Sequence, residues 1–263
     1  MTTNIPVRTT YTTLISNQNM QCVIMVSSYT LTYIHRIHPY TPVHIDISVL
    51  ENYHISQTFK VLSKNEFNIF KNFTPEEYRI CRRRIIEGII ATDMANHQKV
   101  LTATKTKTEL YNVVNGKNFE QLVTDEETSN NLVKLFDTQQ CILNMILHTA
   151  DISNPGKPSN VSEQWTKKVY GEFFMQGDLE KQKGLPISNF CDRNTTNVNK
   201  AMVGFITFVV APTIDALVNI IPEVSDYSHY CKSNLRKHQI GAKKDERKEM
   251  EIKFKERKKK TNM

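Results

Sequence analysis

At 263 residues, with 39% hydrophobic and 23% charged residues, the chain has the length and composition of a globular protein with a sizeable core, which excludes wholesale disorder. Eight Gly and nine Pro exclude collagen-like character, and the longest uncharged, mainly apolar run, Ala201 to Ile214, falls short of the roughly 20 residues a membrane-spanning helix needs. The formal net charge of +7 is local: residues 236–263 hold twelve Lys and Arg against five Asp and Glu, while the preceding 235 residues carry 22 of each sign. A basic tail, rather than a basic body, sets the charge, so it is no argument that the folded part binds nucleic acid.

The first 45 or so residues are Thr-rich and β-branched, and Pro39 and Pro42 mark the exit; no stable helix is expected there. The apolar run Cys22 to Val26 is short and lacks a Lys/Arg-rich start, so it does not read as a signal peptide. After Asp46 helical periods begin. Thr74-Pro75-Glu76-Glu77 is a helix start, with a cap, a Pro at the first helical position and acids in the first turn. Ile85, Ile86, Ile89, Ile90 and Met94 then form one apolar face.

A second helix is predicted from about Asn130 to His148, burying Leu132, Leu135, Phe136, Ile142, Met145 and Ile146, and stopping before the turn Asn154-Pro155-Gly156-Lys157-Pro158. A third begins near Val161 and stacks Val161, Trp165, Val169 and Phe173 at steps of four; Trp165 is expected to pack in the core. A fourth runs from Asn197 through Val210 and meets Pro212, where a kink or restart is expected. From Arg236 onward, charges of both signs recur at helical spacing, as in Glu249 with Lys253 and Glu256 with Lys260. Weak strand signals, scarce Gly and no internal repeat point to an all-α body.

The five cysteines are odd in number, widely spaced and without a CxxC pair. That argues against a zinc ribbon or a disulfide framework and for a reducing, intracellular compartment. The sequence contains no Walker A loop, GxGxxG fingerprint, GxSxG elbow or HExxH helix. Three clusters remain. His148 to Pro155 ends an apolar helix, where Asp151 is either a metal ligand or a turn cap, and His148 either a site residue or a satisfied core histidine. Asp93 and His97 stand four apart on a predicted helical face. His35, His38, His44 and Asp46 offer divalent-metal spacing in the Thr-rich leader.

These clusters, in their order, resemble one family. Leu50-Glu51-Asn52-Tyr53-His54 is similar to an LENHH motif, Ala91-Thr92-Asp93-Met94 to ATDM, and His148 to Pro155 to H-x-A-D-[IL]-S-N-P. Gln164-Trp165-Thr166, Glu172 to Asp178, Phe190 to Arg193 and Gly204-Phe205 follow in sequence. Residues from about Ser48 to Gln239 thus resemble the C-terminal part of the catalytic domain of class I 3',5'-cyclic-nucleotide phosphodiesterases. The resemblance implies a compact multi-helix, HD-domain-like fold lacking its first helices, with a non-matching segment 1–47, a partial catalytic domain 48–239 and a basic tail 240–263.

It also implies hydrolysis of cAMP and/or cGMP to 5'-monophosphates by two divalent ions, zinc with magnesium or manganese. Such ions generate hydroxide near neutral pH and stabilise the phosphorane-like transition state. By that likeness Asp151 is a metal ligand, and Glu51, Thr92 and Asp93 orient metal-bound water. Asn154, Val169, Phe173, Met202 and Phe205 line the nucleotide slot, with Phe205 against the purine face. Two features depart from the family. No His-Asn or His-Asp dipeptide occurs, so the HNxxH and HD motifs are missing, no catalytic histidine is assigned, and Asp151 alone remains of four protein ligands. Met202 stands where the family has a purine-binding glutamine, and a thioether is a weak acceptor and no donor.

Two functions follow as expectations: a phosphodiesterase, or a truncated, inactive phosphodiesterase-like helical protein acting as a binding or regulatory module. An uncovered apolar face is expected to favour homo-oligomerisation or poor solubility. The tail reads first as a solvated helical extension, since Asp245, Glu246, Glu249 and Glu251 dilute its charge, with anionic membrane or nucleic acid as the alternative partners; the expected location is cytoplasmic, with membrane association as the alternative.

Overall fold

The computed structural model describes residues 47–115 and 132–261. The upstream histidines, Asp46 and the segment 1–47 up to Asp46 lie outside those residues. Every regular element described is helical, in line with the all-α expectation: α1 (Val49–Leu62), α2 (Pro75–Ile90), α3 (His97–Asn115), α4 (Leu132–Asp151), α5 (Ser159–Gln182), α6 (Val198–Phe205), α7 (Ala211–Val218) and α8 (Ser225–Thr261), with short 3-10 turns between several of them. The chain divides into two compact units, Met1–Ile90 and Ala91–Met263.

In the first unit, α1 and α2 pack on one another, each with one buried isoleucine, Ile55 and Ile89. The start of α2 is a capping box: the Glu77 amide donates to Thr74 Oγ1 at 3.3 Å, and the Thr74 amide donates to Glu77 Oε2 at 2.8 Å. These bonds hold the exposed Glu77 carboxyl below its usual range. The predicted apolar face holds through Ile90 but not to Met94, which is 47% exposed, because α2 stops at Ile90 and the chain turns.

The second unit has two core clusters. One gathers Ala91, Val100, Leu101, Met145, Ala216, Leu217 and Val224; the other gathers Ile152, Tyr170, Met202, Ile206, Val210, Ile214 and Cys231. α7 serves both, because Ala216 and Leu217 face one and Ile214 the other. Each fully buried aliphatic side chain stabilises by roughly 1.5–3 kcal/mol. The side chains of Leu132, Leu135 and Phe136 lie outside the described residues; Ile142 and Met145 are buried as expected.

Pro212 acts as its chemistry requires. It offers no N–H to the preceding turn, and the helix widens into a π segment over Ile206–Val210, where the Ala211 amide donates to the Ile206 carbonyl. The helix restarts at Ala211 as α7, and in its first turn the Thr213 hydroxyl donates to the Val209 carbonyl at 2.7 Å. Val198–Val218 is long and apolar enough to cross a membrane, with mean hydropathy 2.0 over its window. That exceeds the uncharged run counted from sequence, which Lys200 and Asp215 bound. Met202, Ile206, Val210 and Ile214 instead line the core.

α5 shows a one-residue offset from the predicted stripe. Ser162, Thr166 and Tyr170 are buried, whereas Val161, Trp165, Val169 and Phe173 are half-buried beside them. Trp165 carries Lys157 and Lys168 ammonium groups 5.6 and 5.4 Å from its ring centre, so it is a shared cation platform at the rim.

The 183–191 connection is fastened to α5 by two devices. Buried Glu180 accepts from the Ser188 amide and hydroxyl, each at 2.7 Å. Gly177 admits the Cys191 carbonyl so closely that a Cβ would lie 2.0 Å from its oxygen. Gly177→Ala should therefore cost about 2–3 kcal/mol, lowering Tm by roughly 5–10 °C. Gly171→Ala, whose Cβ meets nothing within 4 Å, should leave Tm unchanged or raise it slightly. Thermal melts of the two variants check this.

Candidate functional site

The last turn of α4 carries the residues that the resemblance singles out, and a buried histidine fixes it. His148 is 0% exposed. Its Nδ1 lies 2.9 Å from the Ala91 carbonyl and its Nε2 2.8 Å from His97 Nδ1. A carbonyl only accepts, so His148 Nδ1 carries the proton. Neutral His148 then has a bare Nε2, and His97 Nδ1 must donate to it. The relay ends on His97 Nε2, a buried nitrogen without a hydrogen-bond partner.

Burial pushes the pKa of both rings below the ordinary histidine value, and for His148 the neighbouring His97 adds to this against the Ala91 bond. Both imidazoles are therefore neutral at pH 7. His148 is the satisfied core histidine of the two alternatives, and it ties the helix ending in Asp151 to the segment that begins at Ala91.

Asp93 and His97 do not share a helical face. Asp93 caps the 3-10 turn Met94–Asn96, its Oδ1 accepting from the Ala95 amide at 2.8 Å, and His97 opens α3. The short Asp competes for backbone donors better than it continues a helix. Thr92 and Asp151 are half-buried, Asp151 as the last residue of α4. Glu51 is half-buried in the first turn of α1, in the other unit.

Beyond Asp151 the chain enters the 3-10 turn Asn154–Gly156. The buried Asn234 amide of α8 donates to the carbonyls of Pro155 and Lys157, both at 2.8 Å. Gly156 lets Tyr227 approach: a Cβ there would meet the Tyr227 ring at 2.9 Å. Asn154 is half-buried within this pinned turn. Of the other slot residues, Met202 is buried in the second core cluster, and Phe173 and Phe205 pack against that cluster. Val169 stands one turn before Phe173 on α5. Thus Phe173, Met202 and Phe205 come together around Tyr170 and Ile152, the residue following Asp151.

Sequence reasoning missed the His97–His148 bond, which joins positions 51 apart; no local spacing marks such a pair. It also missed Asn234 and its neighbours. His238 Nδ1 lies 2.9 Å from Asn199 Oδ1, and Asn199 Nδ2 donates to Asp245 at 2.9 Å. That network clamps α8 to α6, the helix of Met202 and Phe205.

Among the described residues, no group of three or more His, Cys, Asp and Glu is arranged to hold a metal ion. Asp151 alone does not match the three or four protein ligands of a zinc site. The described residues by themselves therefore do not fit the implied ions.

Residues 33–231 match the family model for 3'5'-cyclic nucleotide phosphodiesterase. The chain belongs to that family. The match starts upstream of the LENHH-like segment and ends within α8. Over 175 residues, 66% of the chain, it is 38% identical to the dual specificity calcium/calmodulin-dependent 3',5'-cyclic nucleotide phosphodiesterase 1B of Mus musculus. Over 178 residues, 67% of the chain, it is 35% identical to the 3',5'-cyclic-AMP phosphodiesterase 4C of Rattus norvegicus. It spans 28% and 31% of those two proteins. The crystal structure of the phosphodiesterase domain of a rhodopsin fusion protein from the choanoflagellate Salpingoeca rosetta superposes with a TM-score of 0.68. That likeness has 25% identity and covers 88% of this chain and 72% of the other. The family's helical fold and the order of its motifs thus agree with the architecture seen here.

The neutral relay sets a pH dependence. Unfolded, each histidine titrates near 6.5; folded, His97, His148, His54 and His238 titrate lower because of burial. Below about 6.5 the unfolded chain binds protons the folded chain refuses, so stability falls as pH drops through that value and is flat above it. Urea unfolding at pH 7.5 and 5.5 measures this. At pH 7.5, His97→Leu, which strands His148 Nε2, should cost about 1–3 kcal/mol, and His97→Asn, which keeps a donor near the Nδ1 position, less.

Proposed function

We propose that this chain acts in the hydrolysis of 3',5'-cyclic nucleotides, cAMP and/or cGMP, to 5'-monophosphates in cyclic-nucleotide signalling, in the cytoplasm. Family membership over residues 33–231 carries the reading, and the rigid setting of the Asp151 turn supports it. In this proposal Asp151 is a metal-ligating carboxylate. Thr92 and Asp93, next to the Ala91 carbonyl that His148 holds, orient metal-bound water, a role the resemblance also gives Glu51. Asn154 contacts the base from the turn that Asn234 pins, and Phe205, Val169 and Phe173 form the apolar walls of the nucleotide slot. Zinc with magnesium or manganese would supply hydroxide and charge stabilisation when bound. The described residues do not complete a site for those ions.

A second reading has its own observation. Met202 is 6% exposed, packed in the core, and supplies no amide where the resemblance expects a base-reading glutamine. That favours a phosphodiesterase-like binding or regulatory module. Its exposed apolar residues on the first unit, Phe67, Ile69 and Phe73, give it a surface for self-association.

Hydrolysis of cAMP and cGMP by the purified full chain, with zinc, magnesium or manganese added, separates the readings. The catalytic reading expects metal-dependent release of 5'-monophosphate, a loss of 10- to 100-fold in Asp93→Asn, and a larger loss in Asp151→Ala. Turnover unchanged by Asp151→Ala contradicts the role of that carboxylate, and no turnover under any metal supports the module. Met202→Gln places an amide in an apolar cluster, and should lower stability by about 1–3 kcal/mol in a thermal melt without raising nucleotide affinity.

A further inference from the structure

We propose that the outward face of α8 is a membrane-contacting face that lies on an anionic phospholipid surface. The proposal is independent of catalysis. α8 runs unbroken from Ser225 to Thr261, and its two faces differ in chemistry. The inward line, at steps of three and four, is Cys231, Asn234, His238 and Ala242, all buried. It continues to Asp245, which is bonded to Asn199. Beyond the last buried residue, Ala242, the helix extends by more than four turns.

The opposite line, again at steps of three and four, is Lys232, Arg236, Ile240, Lys243, Arg247, Met250 and Phe254, every one exposed. It contains no acidic residue from Lys232 to Lys258, a length of roughly 40 Å at 1.5 Å per residue. Glu251 flanks this line one turn beyond Arg247; other acids of the helix lie away from it. Asp245 and Glu249 extend the inward line, and Glu246 pairs with Lys200 of α6 at 3.0 Å. With Glu251 the acid at its edge, the line itself is therefore basic and apolar, and it faces away from the buried line of Cys231, Asn234, His238 and Ala242.

Three apolar side chains interrupt the basic line: Ile240, Met250 and Phe254 are 57%, 62% and 59% exposed. The Lys258 ammonium sits 4.7 Å from the centre of the Phe254 ring. An interfacial helix needs this combination, because apolar side chains enter the acyl boundary while Lys and Arg extend along it to lipid phosphates. A nucleic-acid backbone rewards the positive charge but not the exposed Ile and Met.

Cosedimentation of the full chain with phosphatidylcholine vesicles, with and without about 30 mol% phosphatidylserine, tests the proposal. Binding is expected to the phosphatidylserine vesicles alone and to weaken as salt rises. Lys243→Glu with Arg247→Glu should weaken it at least tenfold. Lys248→Glu with Lys255→Glu, the same charge change off the line, should leave it within about twofold. Met250→Ser with Phe254→Ser should also weaken it about tenfold, with unchanged salt dependence. All these side chains are exposed, and equal thermal melts confirm equal folding. Absence of binding, equal loss from both charge pairs, no loss from the Met250/Phe254 pair, or tighter binding to duplex RNA than to phosphatidylserine vesicles would each overturn it.

Discussion

The candidate site depends on one buried chain of hydrogen bonds, Ala91 carbonyl to His148 to His97. It works because both rings are uncharged. A neutral imidazole has one donor and one acceptor, and in this pair the direction is set from one end: the Ala91 carbonyl demands the proton of His148 Nδ1, which leaves only one tautomer for His97. Charging either ring in this burial would cost far more than the bonds return. The consequence is geometric. Asp151 stands three residues beyond His148, and Thr92 directly follows Ala91, so both segments are fixed to one buried staple.

The second fixture acts from α8. Asn234 donates both amide hydrogens to the turn after Asp151, while His238, Asn199 and Asp245 bind the same helix to α6. A long helix that carries most of the chain's net charge on one side thus has a purely structural role on the other. The basic tail read from composition is not a separate appendage at its start, since α8 is continuous from the pinned turn into the charged end.

What the sequence made legible was local or periodic. The Thr74–Glu77 cap, the break at Pro212 and the helix ending near Asp151 rest on chemistry within a few residues, and all are present. The α5 stripe was displaced by one because Thr166 satisfies its hydroxyl on the Ser162 carbonyl of its own helix, which makes a polar residue acceptable in the core. Asp93 was misplaced onto a helical face because spacing of four does not distinguish a helix from a cap followed by a helix. The His97–His148 bond and the Asn234 anchor were invisible because they join residues 51 and 77 to 79 apart. The family resemblance identified Asp151 and its neighbours by motif, yet it gave no sign of what holds them.

The most direct measurement is the tautomeric state of the two buried rings, read from long-range proton–nitrogen NMR correlations of histidine-labelled protein at neutral pH. His148 and His97 are both expected to be neutral, each protonated on Nδ1 and bare on Nε2. An imidazolium at either position, or an Nε2-protonated His148, would contradict that assignment.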